Sequence, residues 1–217
     1  MKLEKFDKVG RGTRTRYIAN VKDVAGSEDY QLVVAGSDAR IKRILKDTDF
    51  DINIDPKAAE DEWTEIQKTV WEEQKATLSS LASLENVSSF FKSQLPNPSI
   101  DNSIFISLRR IRGEGSLYRV ALRFGLPRGQ SIYVSLPWVC QCYCTAEPES
   151  GDTDLFLSIN STTAIPVASS RLSGTQIDSI NYGGFCWPWS NFIPYFRVYG
   201  YTATVVRLYY GGWGTTL

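Results

Sequence analysis

The sequence contains no histidine, and this absence excludes more chemistry than any residue that is present. Ser-His-Asp and Cys-His arrangements are ruled out, as is every metal site built on imidazole. Carboxylate pairs, lysine bases and thiolates remain, but no recognisable catalytic constellation uses them, so the expectation is a protein that is not an enzyme. Net charge is missing too: 24 Lys+Arg stand against 24 Asp+Glu. That balance removes a whole-chain attraction to nucleic acid or to an acidic membrane surface. It also leaves little long-range repulsion between copies, so self-association into a homo-oligomer is expected. No run approaches the roughly 18 uninterrupted apolar residues of a membrane helix, and Met1 to Asp7 lack the apolar core of a signal peptide. The expected location is extracellular or particle-associated, with no visible signal peptide.

What is present is the composition of a folded chain, with 42% hydrophobic and 12% aromatic residues over 217 positions. The N-terminal part, residues 1–95, opens on basic residues at every third position: Lys2, Lys5, Lys8, Arg11 and Arg14, followed by Arg16. An extended arm on a nucleic-acid backbone would use such a row, and a solvated terminus would also show it. Arg16 to Val21 and Tyr30 to Ala35 read as short strands, and Ala39 to Leu45 as a short helix. Residues 55–85 predict one long amphipathic helix. Asp55 is its N-cap, Pro56 takes the first position, and Trp63, Ile66, Val70, Leu78, Leu81 and Leu84 form one apolar stripe. Pro96 and Pro98 then stop a helix and mark a linker over residues 96–103.

From Ile104 the period changes to two. Ile104/Ile106/Leu108, Tyr118/Val120/Leu122/Phe124, Ile132/Val134/Leu136 and Leu155/Leu157/Ile159 alternate with mostly polar neighbours. Two later runs, from Tyr195 and from Thr204, continue the series, and glycine- and proline-bearing turns separate the segments. Short strands at this spacing predict an antiparallel β-sandwich or barrel over residues 104–217. With the helical N-terminal part, the fold class reads as α+β.

Several residue sets are candidates for chemistry. Cys140, Cys142 and Cys144 would share one face of a strand, with Cys186 as a fourth thiol. In an oxidising compartment Cys186 pairs with one of the three; in the cytosol all stay reduced. A zinc site lacks the usual Cys-x-x-Cys spacing. Asp152 and Asp154 flank Thr153 after a glycine, a pattern that binds calcium or caps a turn. No other cofactor is expected. Trp187, Trp189, Tyr195 and Trp213 enrich the tail in aromatics, as a platform for sugar or peptide or as closure of the core.

The order of five segments gives this half a resemblance. Leu126 to Leu136 is followed by Gly151-Asp152-Thr153-Asp154-Leu155, then Val167-Ala168-Ser169-Ser170, Asp178-Ser179-Ile180 and Tyr195 to Tyr201. Over residues 104–213 this resembles the bacterial pre-peptidase C-terminal (PPC) domain, a jelly-roll-like β-sandwich that accompanies secreted peptidases. The cysteine run and the Cys186-Trp187-Pro188-Trp189 segment depart from that pattern, and the residues before 104 hold no recognisable catalytic set. The resemblance implies a binding accessory whose partners are a surface glycan or a matrix protein, and for some members a calcium ion. The expected function is adhesion or assembly at a surface without catalysis. The alternative is a self-assembling shell subunit of a virion or particle, whose basic arm meets nucleic acid.

Overall fold

The computed structural model describes residues 1–56, 103–111, 117–183, 186 and 190–214. The expected long helix beyond Pro56, most of the 96–103 linker, and Trp187 and Trp189 lie outside the described residues.

Two sheets face each other as a β-sandwich, and the chain is mostly strand. The larger sheet has eight strands. In spatial order they are β1 (Asp7–Val9), β2 (Thr15–Val21), β3 (Tyr30–Gly36), β5 (Ile104–Arg110), β7 (Ser131–Ser135), β12 (Pro194–Gly200), β9 (Thr153–Ile159) and β10 (Ala168–Ser170). The smaller sheet orders β11 (Asp178–Gly183), β8 (Gln141–Ser150), β13 (Thr204–Trp213), β6 (Leu117–Leu126) and β4 (Asp51–Asp55). Period-two patterning explains the inward faces: in β2, Thr15, Tyr17, Ala19 and Val21 are buried while Arg16 and Asn20 are exposed. The same parity buries Ile104, Ile106 and Leu108 in β5, and Val206, Leu208 and Tyr210 in β13. One short helix, α1 (Asp38–Leu45), presses Ile41, Ile44 and Leu45 onto this core.

The sandwich is not confined to residues after Ile104. β3 pairs with β5 from Tyr30↔Arg110 to Ala35↔Phe105, and β4 pairs with β6 from Asp51↔Ala121 to Asp55↔Leu117. Tyr30 and Tyr118 meet edge to face across the two sheets, 6.0 Å between ring centroids, both almost fully buried. Asp55, expected as a helix cap, is the last residue of β4, and the helix it would cap lies outside the described residues. Its neighbours Ile52 and Ile54 alternate with polar residues, and β6 offers an edge to pair with. Among the described strands one pair departs from antiparallel order: β5 and β7 are parallel, because β6 runs in the opposite sheet and the chain re-enters beside β5 in the same direction.

Candidate binding rim

The two ends of the sandwich differ in chemistry. At one end lie the last residues of β5 and β7 and the first of β8 and β12. Chain segment 136–140, which links the two sheets there, is held at Val139 and Cys140. Val139 and Phe192 exchange backbone hydrogen bonds of 2.9 and 2.7 Å, and the Cys140 N–H donates to the Trp213 carbonyl at 2.9 Å. Cys140 is joined to Cys186 in a disulfide, with 5.3 Å between their Cα atoms. Tyr182 packs edge-on against Phe192 at 5.5 Å. Cys142 and Cys144 follow Cys140 on the same side of β8, but deeper. Both are fully buried, and burial pushes both thiols up, well above the ordinary range. With Cys140 in a disulfide, the four-thiolate arrangement a zinc ion would need is not formed.

Beside this clamped segment is an open notch of about 310 Å³, whose described walls include Ser107, Arg109, Arg110, Ser135, Trp138 and Tyr195. Trp138 is 49% exposed, Arg109 is exposed, and Arg110 and Tyr195 are half-buried. Among the described residues neither arginine has an ion-pair partner. Tyr195 sits in β12 opposite Ser135 and Ser158, which fixes its position on the outer face of the sheet. Of the expected aromatics, the structure thus places Tyr195 in the notch. Trp213 is at the same end, half-buried, bound through its carbonyl to the clamp. Sequence reasoning missed Arg109, Arg110 and Trp138. The signal that could have found them is Pro137-Trp138, directly after a strand of period two.

The opposite end gathers carboxylates. Gly151 turns the chain with φ of +79°, a backbone region that β-carbon-bearing residues rarely adopt. The Asp152 N–H then donates to Thr202 Oγ1 at 2.8 Å. Asp154 lies 3.6 Å from the Arg171 guanidinium. Arg171 and Arg197 both lie over the Phe156 ring, at 5.7 and 5.5 Å. Asp178 is fully buried; one oxygen accepts from the Ser170 hydroxyl at 2.5 Å and from the Leu172 N–H at 3.0 Å, while the other has no partner. Burial pushes the Asp178 carboxyl up to about 7 and Asp154 up to about 6, the latter against the pull of Arg171. Asp152 is raised by burial as well. Among the described residues no three carboxylate or thiol groups converge as metal ligands. The pair named for calcium, Asp152 and Asp154, therefore stands without a third such group, and Asp154 already faces Arg171.

The basic N-terminal residues do not form a free arm. The Met1 ammonium bonds the Asp49 carboxylate and, at 2.7 Å, the Phe50 carbonyl; Leu3 and Phe6 are buried. Lys2 reaches the Asp47 carbonyl at 3.2 Å. Lys8 pairs with Asp38 at 2.9 Å, and Asp38 also accepts from the Tyr17 hydroxyl at 2.6 Å. Those donors hold the Asp38 carboxyl down at about 2, and burial pushes the Tyr17 phenol up to about 12. The apolar residues between the charges explain the difference, since Leu3 and Phe6 anchor the segment on Phe50. Lys5, Arg11, Arg14 and Arg16 remain exposed.

No protein-family model matches the chain, and no curated protein matches it. Among solved structures it is similar to one described as a crystal structure of CapF with the inhibitor 3-isopropenyl-tropolone. That similarity has 12% identity and a TM-score of 0.28, over 70% of this chain and 44% of the other. The chain thus spans less than half the length of that protein, and a likeness of this degree carries no argument about fold or function.

Proposed function

We propose that the chain is a non-catalytic binding and structural protein, a jelly-roll-like sandwich that works in adhesion or assembly at a surface. The observation that carries this reading is the rim notch. Exposed aromatic and guanidinium groups sit on strand ends and on a disulfide-clamped connection, so they are presented on a rigid frame rather than a free loop. The absence of histidine supports the non-catalytic part. An array of glycans and matrix proteins, probed with the full chain, tests it. Retention that is lost when Trp138 and Tyr195 are both changed to Ala, in a chain of unchanged circular dichroism, is the expected result. A chain that binds nothing on the array and runs as a monomer in light scattering overturns it.

A shell subunit that contacts nucleic acid is the second reading, and one observation favours it. Arg11, Arg14 and Arg16 are exposed around the edge formed by β1 and β2, and among the described residues they have no ion-pair partner. Salt-sensitive retention of nucleic acid together with large closed particles would support it. Absence of binding at low salt sinks it.

A further inference from the structure

The notch has a cause in the backbone. β5 and β7 run in parallel register from Ile104↔Ile132 to Ser107↔Ser135. On the other side of β5 the Ile111 N–H donates to the Asp29 carbonyl at 2.6 Å, so odd-numbered peptide groups face β3 and even-numbered ones face β7. Continued in register, the next rung would bring an N–H from residue 137 to the Leu108 carbonyl. Residue 137 is proline, which has no N–H to give. The parallel ladder stops there, β7 turns away, and the space beside Leu108, Arg109 and Arg110 stays open.

The groups around that space are of three kinds. Trp138 and Tyr195 offer aromatic surface, which packs well on the flat C–H face of a pyranose ring. Arg109, on the outer face of β5, offers a guanidinium fork with no ion-pair partner among the described residues, and its geometry matches a carboxylate; Arg110 alternates to the face that carries Tyr30. Ser107, Ser135 and the Leu108 carbonyl offer the short-range donors and acceptors that sugar hydroxyls require. A volume of about 310 Å³ lies at the lower end of the roughly 300–1,000 Å³ seen for small-ligand pockets, which suits one or two rings. A gap of one ladder rung is too short to add a peptide strand to the sheet. Two arginines in a chain of zero net charge do not make the basic track that a phosphate backbone needs.

We infer that the notch binds a carboxylate-bearing sugar of an acidic glycan, with Trp138 and Tyr195 against the ring and Arg109 on the carboxylate. The inference rests on the reading of the chain as a surface-binding protein and gives that reading a ligand class. It is tested by calorimetric titration of the full chain with short galacturonate, glucuronate and sialate oligosaccharides. Each is compared with its methyl ester, which keeps the rings and removes the charge. At least one acid form is expected to bind, with its ester at least tenfold weaker. The Arg109→Gln variant should lose at least tenfold toward the acid and leave the ester unchanged, whereas Trp138→Ala should weaken both. Should that arginine variant not fold, the acid-to-ester ratio of the unaltered chain decides. Equal binding of acid and ester, no binding of any of the three acids, or equally tight binding of tetraglutamate overturns the inference. Failure of these acids alongside retention on neutral glycans or matrix proteins removes the ligand class alone. Failure on every surface removes the surface-binding reading as well.

Discussion

Asp178 shows how a single residue can set the response of the molecule to pH. Its carboxyl is fully buried with one oxygen unpartnered, and burial lifts it from an ordinary 3.8 to about 7. Asp154 is lifted to about 6 by the same cause. The folded chain therefore holds more protons than the unfolded chain between about pH 4 and 7. Stability from these two groups is complete below the unfolded value, declines as pH rises through that window, and is gone above pH 7. Asp38 and Glu149 act in the other direction. Both are held down at about 2, Asp38 chiefly by the Tyr17 hydroxyl and Glu149 chiefly by Arg123, so their contribution is lost as pH falls from about 4 toward 2. Thermal melts should thus show a lower midpoint at pH 8 than at pH 5, and Asp178→Asn should flatten that slope while keeping an acceptor for Ser170 and Leu172. A melting temperature that rises from pH 5 to pH 8 would contradict the assignment. The neighbouring turn makes a simpler case. A β-carbon on Gly151 would meet the Ala203 carbonyl oxygen as well as adopt a positive φ. Gly151→Ala is expected to cost about 1–3 kcal/mol in urea denaturation, and no measurable loss would show that the turn relaxes.

Among the elements, the connection from β7 to β8 is the one that its local sequence least supports. Leu136 and Val139 are buried in the core, and its backbone geometry depends on Phe192, Trp213 and Cys186, which come from distant parts of the chain. The Cys140–Cys186 link closes a separation of 46 residues, which the chain-entropy argument makes worth about 4 kcal/mol. The Cys140→Ser/Cys186→Ser pair should therefore lower stability by about 2–4 kcal/mol in denaturant titration. It should also reduce protection of the Val139 amide in hydrogen exchange more than that of Val198 in β12. Equal loss at both amides would mean that the bond stabilises the whole sandwich and not this connection. The same contrast separates what was legible from what was not. Strands with period two and their own turn signals, such as β2, β5, β6 and β13, could be read directly, because alternation reports one buried face. β1 could not, since all three of its residues are exposed. β4 alternates Ile52 and Ile54, yet its flanking acids read equally well as the start of a helix. In the candidate site, Tyr195 and the cysteine pair carried a compositional signal, whereas Arg109, Arg110 and Trp138 matter only because a missing rung places them together.

At the scale of the whole molecule, the main error of a left-to-right reading is where the sandwich begins. Prolines at 96 and 98 read in the sequence as a domain boundary, but they carry no information about which strands pair across it. The pairing runs across that boundary in both sheets, with β3 on β5 and β4 on β6. Removing residues 1–56 would expose one long edge of each sheet and strip Tyr30, Leu32, Val34 and Ile54 from the common core, all at most 2% exposed. Each such residue contributes about 1.5–3 kcal/mol by burial. Loss of four, about 6–12 kcal/mol, is of the same order as the 5–15 kcal/mol by which domains are stable. A chain starting at Ile104 is therefore expected to lack near-ultraviolet circular dichroism and to show collapsed amide dispersion. Adding residues 1–56 in trans should restore part of both signals, because the missing strands bind through backbone ladders that need no covalent link. A 104–217 fragment that melts cooperatively on its own would show instead that the C-terminal strands form an independent domain and that the N-terminal strands are an accessory layer.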